Sequence, residues 1–240
     1  MHDGPVVCVK FDPLSSRVVA SASADGQVIV STSYLEELDG KADSSGPFGK
    51  VKTAEILFKF KCSEWVNTLS FSPSGKQILF ASKFLFVIIA HDSTLHIFPM
   101  NEADVASSTK PKDGQKLSYN GAPILTGGFI SEDAYVGSGY DKTPILFKRD
   151  AGGKWSFVKF LDAGISKQKQ NKIGKDAFGG KSVFFDGLKL ENDVEMTEKD
   201  TKHMNYINCQ KKFTGTDTKV ALISTSDPNG YIHFWDVSQA

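Results

Sequence analysis

Cysteine is scarce in this chain of 240 residues: Cys8, Cys62 and Cys209 stand alone, with no C-x-x-C pair among them. An odd, isolated set signals neither a disulfide framework nor a zinc site, and is read as reduced, mostly buried thiols in a cytosolic protein. An N-x-S/T glycosylation acceptor is absent as well. So is an excess of one charge: 28 basic and 28 acidic side chains cancel to a formal net charge of zero. Proteins that bind nucleic acid or coat a membrane surface carry a basic excess or stripe, so neither partner is expected. The opening MHDGPVVCVKFDP lacks a charged segment followed by an apolar core, so it does not read as a signal peptide. The most apolar run, residues 78–90, is interrupted by Ser82 and Lys83 and closed by His91-Asp92. A membrane helix takes about 20 consecutive apolar residues, so no membrane span is expected.

What is present leans towards β structure. Hydrophobic residues make up 40% and charged residues 23%, with 18 Phe, 21 Gly and little helical periodicity. Four segments repeat one pattern: VVCVKFDPLSSRVVASASADGQVIVST; WVNTLSFSPSGKQILFAS resumed by HDSTLHIF; PILTGGFISEDAYVGSGYDKTPILFK; and INCQKKFTGTDTKVALISTSDPNGYIHFWDV. Each is a strand, a polar turn, a strand ending in small residues, a turn with Asp, and a strand. Asp12-Pro13, Ser72-Pro73-Ser74-Gly75, Asp25-Gly26 and Pro228-Asn229-Gly230 have turn chemistry. Ala20, Ser21, Ala22, Gly137 and Gly139 would let neighbouring sheets approach closely.

The turn aspartates Asp25, Asp92, Asp141 and Asp227 are spaced by 67, 49 and 86 residues. A WD-type blade takes about 40–45 residues, so insertions separate the repeat cores. Residues 55–60, 115–119 and 156–162 are candidate outer strands, giving three four-stranded units and a final three-stranded one. The tail FWDV at 234–237 carries the WD dipeptide of such blades. The expected fold is therefore all-β: a partial WD-repeat β-propeller of antiparallel four-stranded blades, four in number. Its single domain, 1–240, has blade cores at about 5–60, 64–120, 122–162 and 205–237 and an inserted loop at 163–204.

A more specific resemblance is carried by FDPLSSRVVASASADG, by GPFG at 46–49, by SEWVNTLSFSPSG at 63–75, by SHDSTLHI taken across the gap, and by FISEDAYVGSGYDKTPILF running into WSFVKFLD. With these motifs the chain resembles the WD-repeat subunit family of the actin-related protein 2/3 complex, the nucleator of branched actin. The resemblance covers essentially the whole chain, but only the C-terminal four of that family's seven blades. The three N-terminal blades are missing from the match, as is the strand that the N-terminus lends to the last blade.

The resemblance implies a non-catalytic scaffold subunit without cofactor, in the cytoplasmic actin cytoskeleton. Its partners would be the other subunits of the complex, the actin filament and nucleation-promoting factors. Family members carry an insertion at the position of 163–204 that touches the mother filament and activating factors. Here that segment runs from basic (Lys167, Lys169, Lys172, Lys175, Lys181) to acidic (Glu191, Asp193, Glu195, Glu198, Asp200). Phe178, Phe184, Phe185, Leu188 and Leu190 lie between and are the partner-binding candidates; the alternative is that these aromatics fold back on the propeller edge. From another class of function, the alternative is a generic WD-repeat adaptor in a different assembly.

The apolar run is read as two strands split by an insertion, KFLFVIIA at 83–90. Without it, QILFAS joins HDSTLHIF in a tight hairpin, whose register depends on loop length. A retained in-frame intron is favoured over an apolar projection, which would leave large side chains wet at about 1.5–3 kcal/mol of forgone burial each. Catalytic motifs fail on inspection. Asp141-Lys142-Thr143 lacks the following Gly of a phosphorylated-aspartate loop, and Gly137-Ser138-Gly139 is not a nucleophile elbow. His91-Asp92-Ser93 alternates faces, and the five histidines show no metal-ligand spacing. Trp65, Trp155 and Trp235 are expected in the core, and Pro47-Phe48-Gly49 is expected to pin the crossing at 38–50.

Overall fold

In the computed structural model, residues 2–15, 17–40, 48, 52–62, 64–83, 93–100, 114–119, 121–162 and 201–240 are described. They form fifteen strands and one short helical turn. The first sheet holds β1 (Val6–Phe11), β2 (Val18–Ser23), β3 (Gln27–Thr32) and β4 (Ile56–Lys61), with the turn α1 (Glu36–Asp39) between the last two. The second holds β5 (Trp65–Phe71), β6 (Gln77–Lys83), β7 (Ser93–Pro99) and β8 (Gln115–Tyr119). The third holds β9 (Ile124–Ser131), β10 (Ala134–Gly139), β11 (Ile145–Arg149) and β12 (Trp155–Phe160). The last is three-stranded: β13 (Cys209–Thr216), β14 (Lys219–Ser226) and β15 (Ile232–Asp236). Every pair is antiparallel and sequential, as short turns between β-branched and aromatic runs dictate.

The first strands of the four sheets, β1, β5, β9 and β13, are successive neighbours around a shared centre. The sheets thus stand side by side as propeller blades, each pressing a face on the next. Three apolar clusters fill the three junctions. Val30, Phe58 and Phe60 meet Leu69, Ile78, Phe80 and Phe98 at the first. Leu79, Ala81, Leu95 and Ile97 meet Phe129, Tyr135 and Phe147 at the second. Ile130, Val136 and Leu146 meet Ile223 and Trp235 at the third.

This stacking explains the first part of the apolar run, residues 78–81. Along β6, Ile78 and Phe80 enter the first cluster while Leu79 and Ala81 enter the second, and all four are fully buried. A strand covered on both faces reads as a continuous hydrophobic segment rather than an alternating one. β6 pairs with β7 from Gln77↔Pro99 to Lys83↔Ser93, as the arms of one antiparallel pair. Of the expected insertion at 83–90, only Lys83 belongs to a strand; 84–92, with His91 and Asp92, lie outside the described residues.

Small residues sit where the sheets are tightest. Ala20 and Ala22 are fully buried, and a side chain on Gly139 would collide with the Pro123 carbonyl. Phe48 joins the first cluster from the crossing, as expected. Trp155 and Trp235 are buried, but Trp65 is 44% exposed, contrary to expectation. It opens β5 at the rim, and coverage begins one residue later at Val66. The three cysteines are half-buried rather than buried. Cys8 and Cys209 lie on strands of the first and last sheets, each of which has one neighbouring sheet, and Cys62 follows the outermost strand β4.

Candidate functional site

Polar side chains are organised along the blades in three recurring ways. The first is a chain of hydrogen bonds through the last blade. Trp235 Nε1 donates to Thr225 Oγ1 at 2.7 Å, and Thr225 lies 2.7 Å from His203 Nε2. His203 Nδ1 lies 2.9 Å from Asp227 Oδ2, and Asp227 accepts the backbone N–H groups of Asn229 and Tyr231. An ionised carboxylate can only accept, so His203 carries its proton on Nδ1 facing Asp227, and Nε2 of the neutral ring accepts the Thr225 hydroxyl proton. The side chains of His203 and Asp227 are fully buried. Burial pushes the His203 imidazole below its ordinary pKa, against the opposing pull of Asp227. Burial alone would raise the Asp227 carboxyl, but bonds from His203, Tyr231 and Asn229 outweigh it and hold the group below the usual carboxylate range.

The first blade repeats the theme, with His2 Nε2 2.7 Å from Ser21 Oγ and Nδ1 3.3 Å from Asp25. In the second blade Ser82 bonds both Glu64, at 2.8 Å, and His96 Nε2, at 3.1 Å.

The order Asp–His–hydroxyl is that of a hydrolytic triad, yet the chemistry does not follow. Thr225 is 1% exposed and already accepts the Trp235 proton, so no substrate carbonyl can reach it. In the second blade the Glu64 carboxylate bonds the hydroxyl, where a base-orienting role would place it on the imidazole. These groups lock turns and strand ends.

The second feature is a clasp between blades. Glu132, in the turn between β9 and β10, accepts from Ser72 Oγ (2.9 Å), Ser74 N (3.0 Å), Ser74 Oγ (2.7 Å) and Gln77 Nε2 (3.1 Å) of the preceding blade. Desolvation raises its pKa, and these bonds overcome it, leaving the carboxyl below its usual value of 4.5. A depressed carboxyl contributes stability above its unfolded pKa and loses it as pH falls through the folded one. Urea midpoints of the parent chain should therefore decline on acidification below about pH 4.5 more steeply than those of Glu132→Gln. Parallel pH profiles would remove Glu132 from this role.

The third feature is a central cavity of about 370 Å³ between the innermost strands, lined among others by Lys10, Ser70, Gly127, Gln210 and Lys211. Polar groups do converge here, but among the described residues no carboxylate, histidine or cysteine lines the cavity, and Gln210 is engaged by Ser138 and the Val136 carbonyl. Phe178, Phe184, Phe185, Leu188 and Leu190 lie outside the described residues. His203 and Glu132 had no assigned role on the sequence alone. A similar His-to-Asp separation, 23 residues from His2 to Asp25 and 24 from His203 to Asp227, is the signal that marks the first of them.

Comparison with known proteins gives the same picture. The family model for the WD domain, G-beta repeat, matches residues 1–30. The actin-related protein 2/3 complex subunit 1A-A of Xenopus laevis is 25% identical over 222 residues, covering 91% of this chain and 54% of the relative. Subunit 1B of Arabidopsis thaliana is 26% identical over 244 residues, covering 98% and 59%. Subunit 1 of Schizosaccharomyces pombe is 23% identical, covering 91% and 57%. The chain thus spans a little over half the length of these curated relatives. Among solved structures, that titled "Structure of U3-55K" aligns with a TM-score of 0.56 at 12% identity, over all of this chain and 51% of the other, which speaks for the fold alone. The chain is thus similar over nearly its whole length to subunit 1 of the actin-related protein 2/3 complex, and its four consecutive antiparallel blades have the fold of a partial WD-repeat propeller.

Proposed function

We propose that the chain is a non-catalytic scaffold subunit of an actin-related protein 2/3 complex, supporting the nucleation of branched actin filaments in the cytoplasmic actin cytoskeleton. The observation that carries this reading is the similarity to subunit 1 proteins of an animal, a plant and a yeast along 91–98% of the chain. The architecture suits a scaffold. The two middle blades are packed on both faces, and their turns are held by charged and hydroxyl clasps, so surface groups keep fixed relative positions. Neighbouring subunits would dock on that frame. Segment 163–204 would reach an actin filament or a nucleation-promoting factor, with Phe178, Phe184, Phe185, Leu188 and Leu190 as its apolar contacts. At such contacts a few buried aromatics within a polar rim supply most of the affinity.

Two measurements test this. A tagged chain should co-purify a stoichiometric set of actin-related proteins; a stable assembly lacking them would favour an adaptor role in another complex. In a reconstituted branching assay, Phe184→Ala with Phe185→Ala should leave assembly intact and lower the branching rate about tenfold, for a loss of about 1.4 kcal/mol at the contact. Branching at the parental rate would refute the assignment of these two residues.

A further inference from the structure

The turn between β14 and β15 carries a reaction that needs no partner. It reads Asp227-Pro228-Asn229-Gly230-Tyr231, and Asn229 and Gly230 are both exposed. Asparagine is a thermolabile residue. When glycine follows it, the glycine nitrogen closes on the asparagine amide without a side chain in the way. The space beside Gly230 is open as well: its φ is +86°, and no atom lies within 4 Å of where a side-chain carbon would stand. One interaction holds the nitrogen back, since Gly230 N–H donates to the Asp227 carbonyl at 3.1 Å. Exposed backbone hydrogen bonds of this kind open at low free energy. The chain has a second Asn-Gly pair, at 120–121, of which Asn120 lies outside the described residues.

We propose that Asn229 is a site of spontaneous deamidation, with water as the only co-reactant, and that its isoaspartate product loosens the buried relay of the last blade. The inference rests on this turn, independently of the role in actin nucleation. The Gly230 nitrogen bonds to Cγ of Asn229, the Cγ–Nδ2 bond breaks, and ammonia leaves with the proton that the Gly230 nitrogen carried. Water then opens the cyclic imide. Opening at Cγ gives aspartate. Opening at the backbone carbonyl carbon gives isoaspartate, whose main chain runs through Cβ and Cγ and whose α-carboxylate is free.

The place of the turn decides what the product does. Asp227 Oδ1 accepts the Asn229 N–H at 3.0 Å and the Tyr231 N–H at 3.2 Å, while Oδ2 faces His203 Nδ1 at 2.9 Å. Isoaspartate lengthens the chain between those two donors by one carbon–carbon bond, about 1.5 Å. It also sets a new carboxylate beside the turn. The two N–H groups then no longer converge on one oxygen. The Asp227 side chain is fully buried, so water does not replace the lost donor. A change at one exposed residue is thereby passed to His203 and, through it, to Thr225.

The test ages the full 240-residue chain at physiological pH and temperature, folded and in urea. Peptide mass spectrometry, with fragmentation that separates isoaspartate from aspartate, follows residue 229. Isoaspartate should be the larger product, forming in the folded chain more slowly than in urea because the turn bond must open first. The fraction carrying isoaspartate at 229 is then isolated and unfolded in urea. Its ratio of folded to unfolded chain should be about tenfold lower than that of the fresh parent, as expected for a lost hydrogen bond to a buried charge. Asn229→Ser has no amide to cyclise, and aged alongside it is the baseline for changes at other positions. Asn229→Asp adds the charge without rerouting the backbone and should lose far less stability than the isoaspartate chain. The proposal is overturned if the folded chain has formed no isoaspartate at 229 by the time half of the urea-held chain has converted. It is also overturned if the isoaspartate chain is as stable as the parent, or if Asn229→Asp is equally destabilised, which would make the charge alone responsible.

Discussion

His203→Ala should lower the stability of the folded chain by about 3–5 kcal/mol, the usual cost of breaking a buried ion-paired or hydrogen-bonded couple by removing one member. The substitution strands two groups at once. Asp227, with a fully buried side chain, keeps only its backbone donors, and Thr225, which still accepts the Trp235 indole proton, loses the acceptor for its own hydroxyl proton. Neither can turn to water, because Thr225 and Asp227 are 1% and 4% exposed. The pH profile separates this from simple loss of volume. The imidazole has a folded pKa below its ordinary 6.5, so the unfolded chain binds more protons as pH drops through the window beneath 6.5. Parental stability therefore declines in that window, and His203→Ala should lack this component. A loss under about 1 kcal/mol, with an unchanged profile, would mean that the relay carries no net stability.

Phe80→Ala should cost a similar 3–5 kcal/mol, for a different reason. Phe80 has no exposed surface and stands in the middle of the first junction, with ring centroids 5.8 Å from Phe60, 5.8 Å from Phe98 and 5.0 Å from His96. Those rings belong to strands hydrogen-bonded within two separate sheets, so they cannot collapse into the space and a cavity remains. The urea midpoint should fall without a change in slope, and the melting temperature should drop by about 10 °C for a chain of this size. Phe157→Ala, at a ring that is 40% exposed, is the control and should cost under about 1 kcal/mol. Equal losses at the two positions would contradict the junction described here.

The strands were legible in the sequence because their signals are local. The turns at Asp12-Pro13 and 72–75, the β-branched runs and the WD tail give three four-stranded units and one three-stranded unit, as the sheets show. Outer strands were legible to within two residues: β8 matches 115–119, β4 is displaced by one from 55–60, and β12 begins one before and ends two short of 156–162. What stayed hidden depends on distance along the chain. Glu132 reaches back 58 residues to Ser74, and His203 reaches forward 24 to Asp227, and neither link leaves a trace in a short window. Trp65 misled because residue type reports average burial, while exposure here follows from place at the head of a strand. Phe178, Phe184, Phe185, Leu188 and Leu190 lie outside the described residues, and apolar content and the family resemblance single them out.

Covering both broad sides of β6 and its neighbours has a consequence for how such a molecule can be met from outside. Whatever approaches a middle blade finds only its perimeter: the connecting turns at either end and the outermost strands β8 and β12. Recognition is thereby confined to narrow borders, where a partner must span several blades to gain area. Substitutions can accumulate along those borders with little harm to the fold, while the sheet interiors between them stay closed to change.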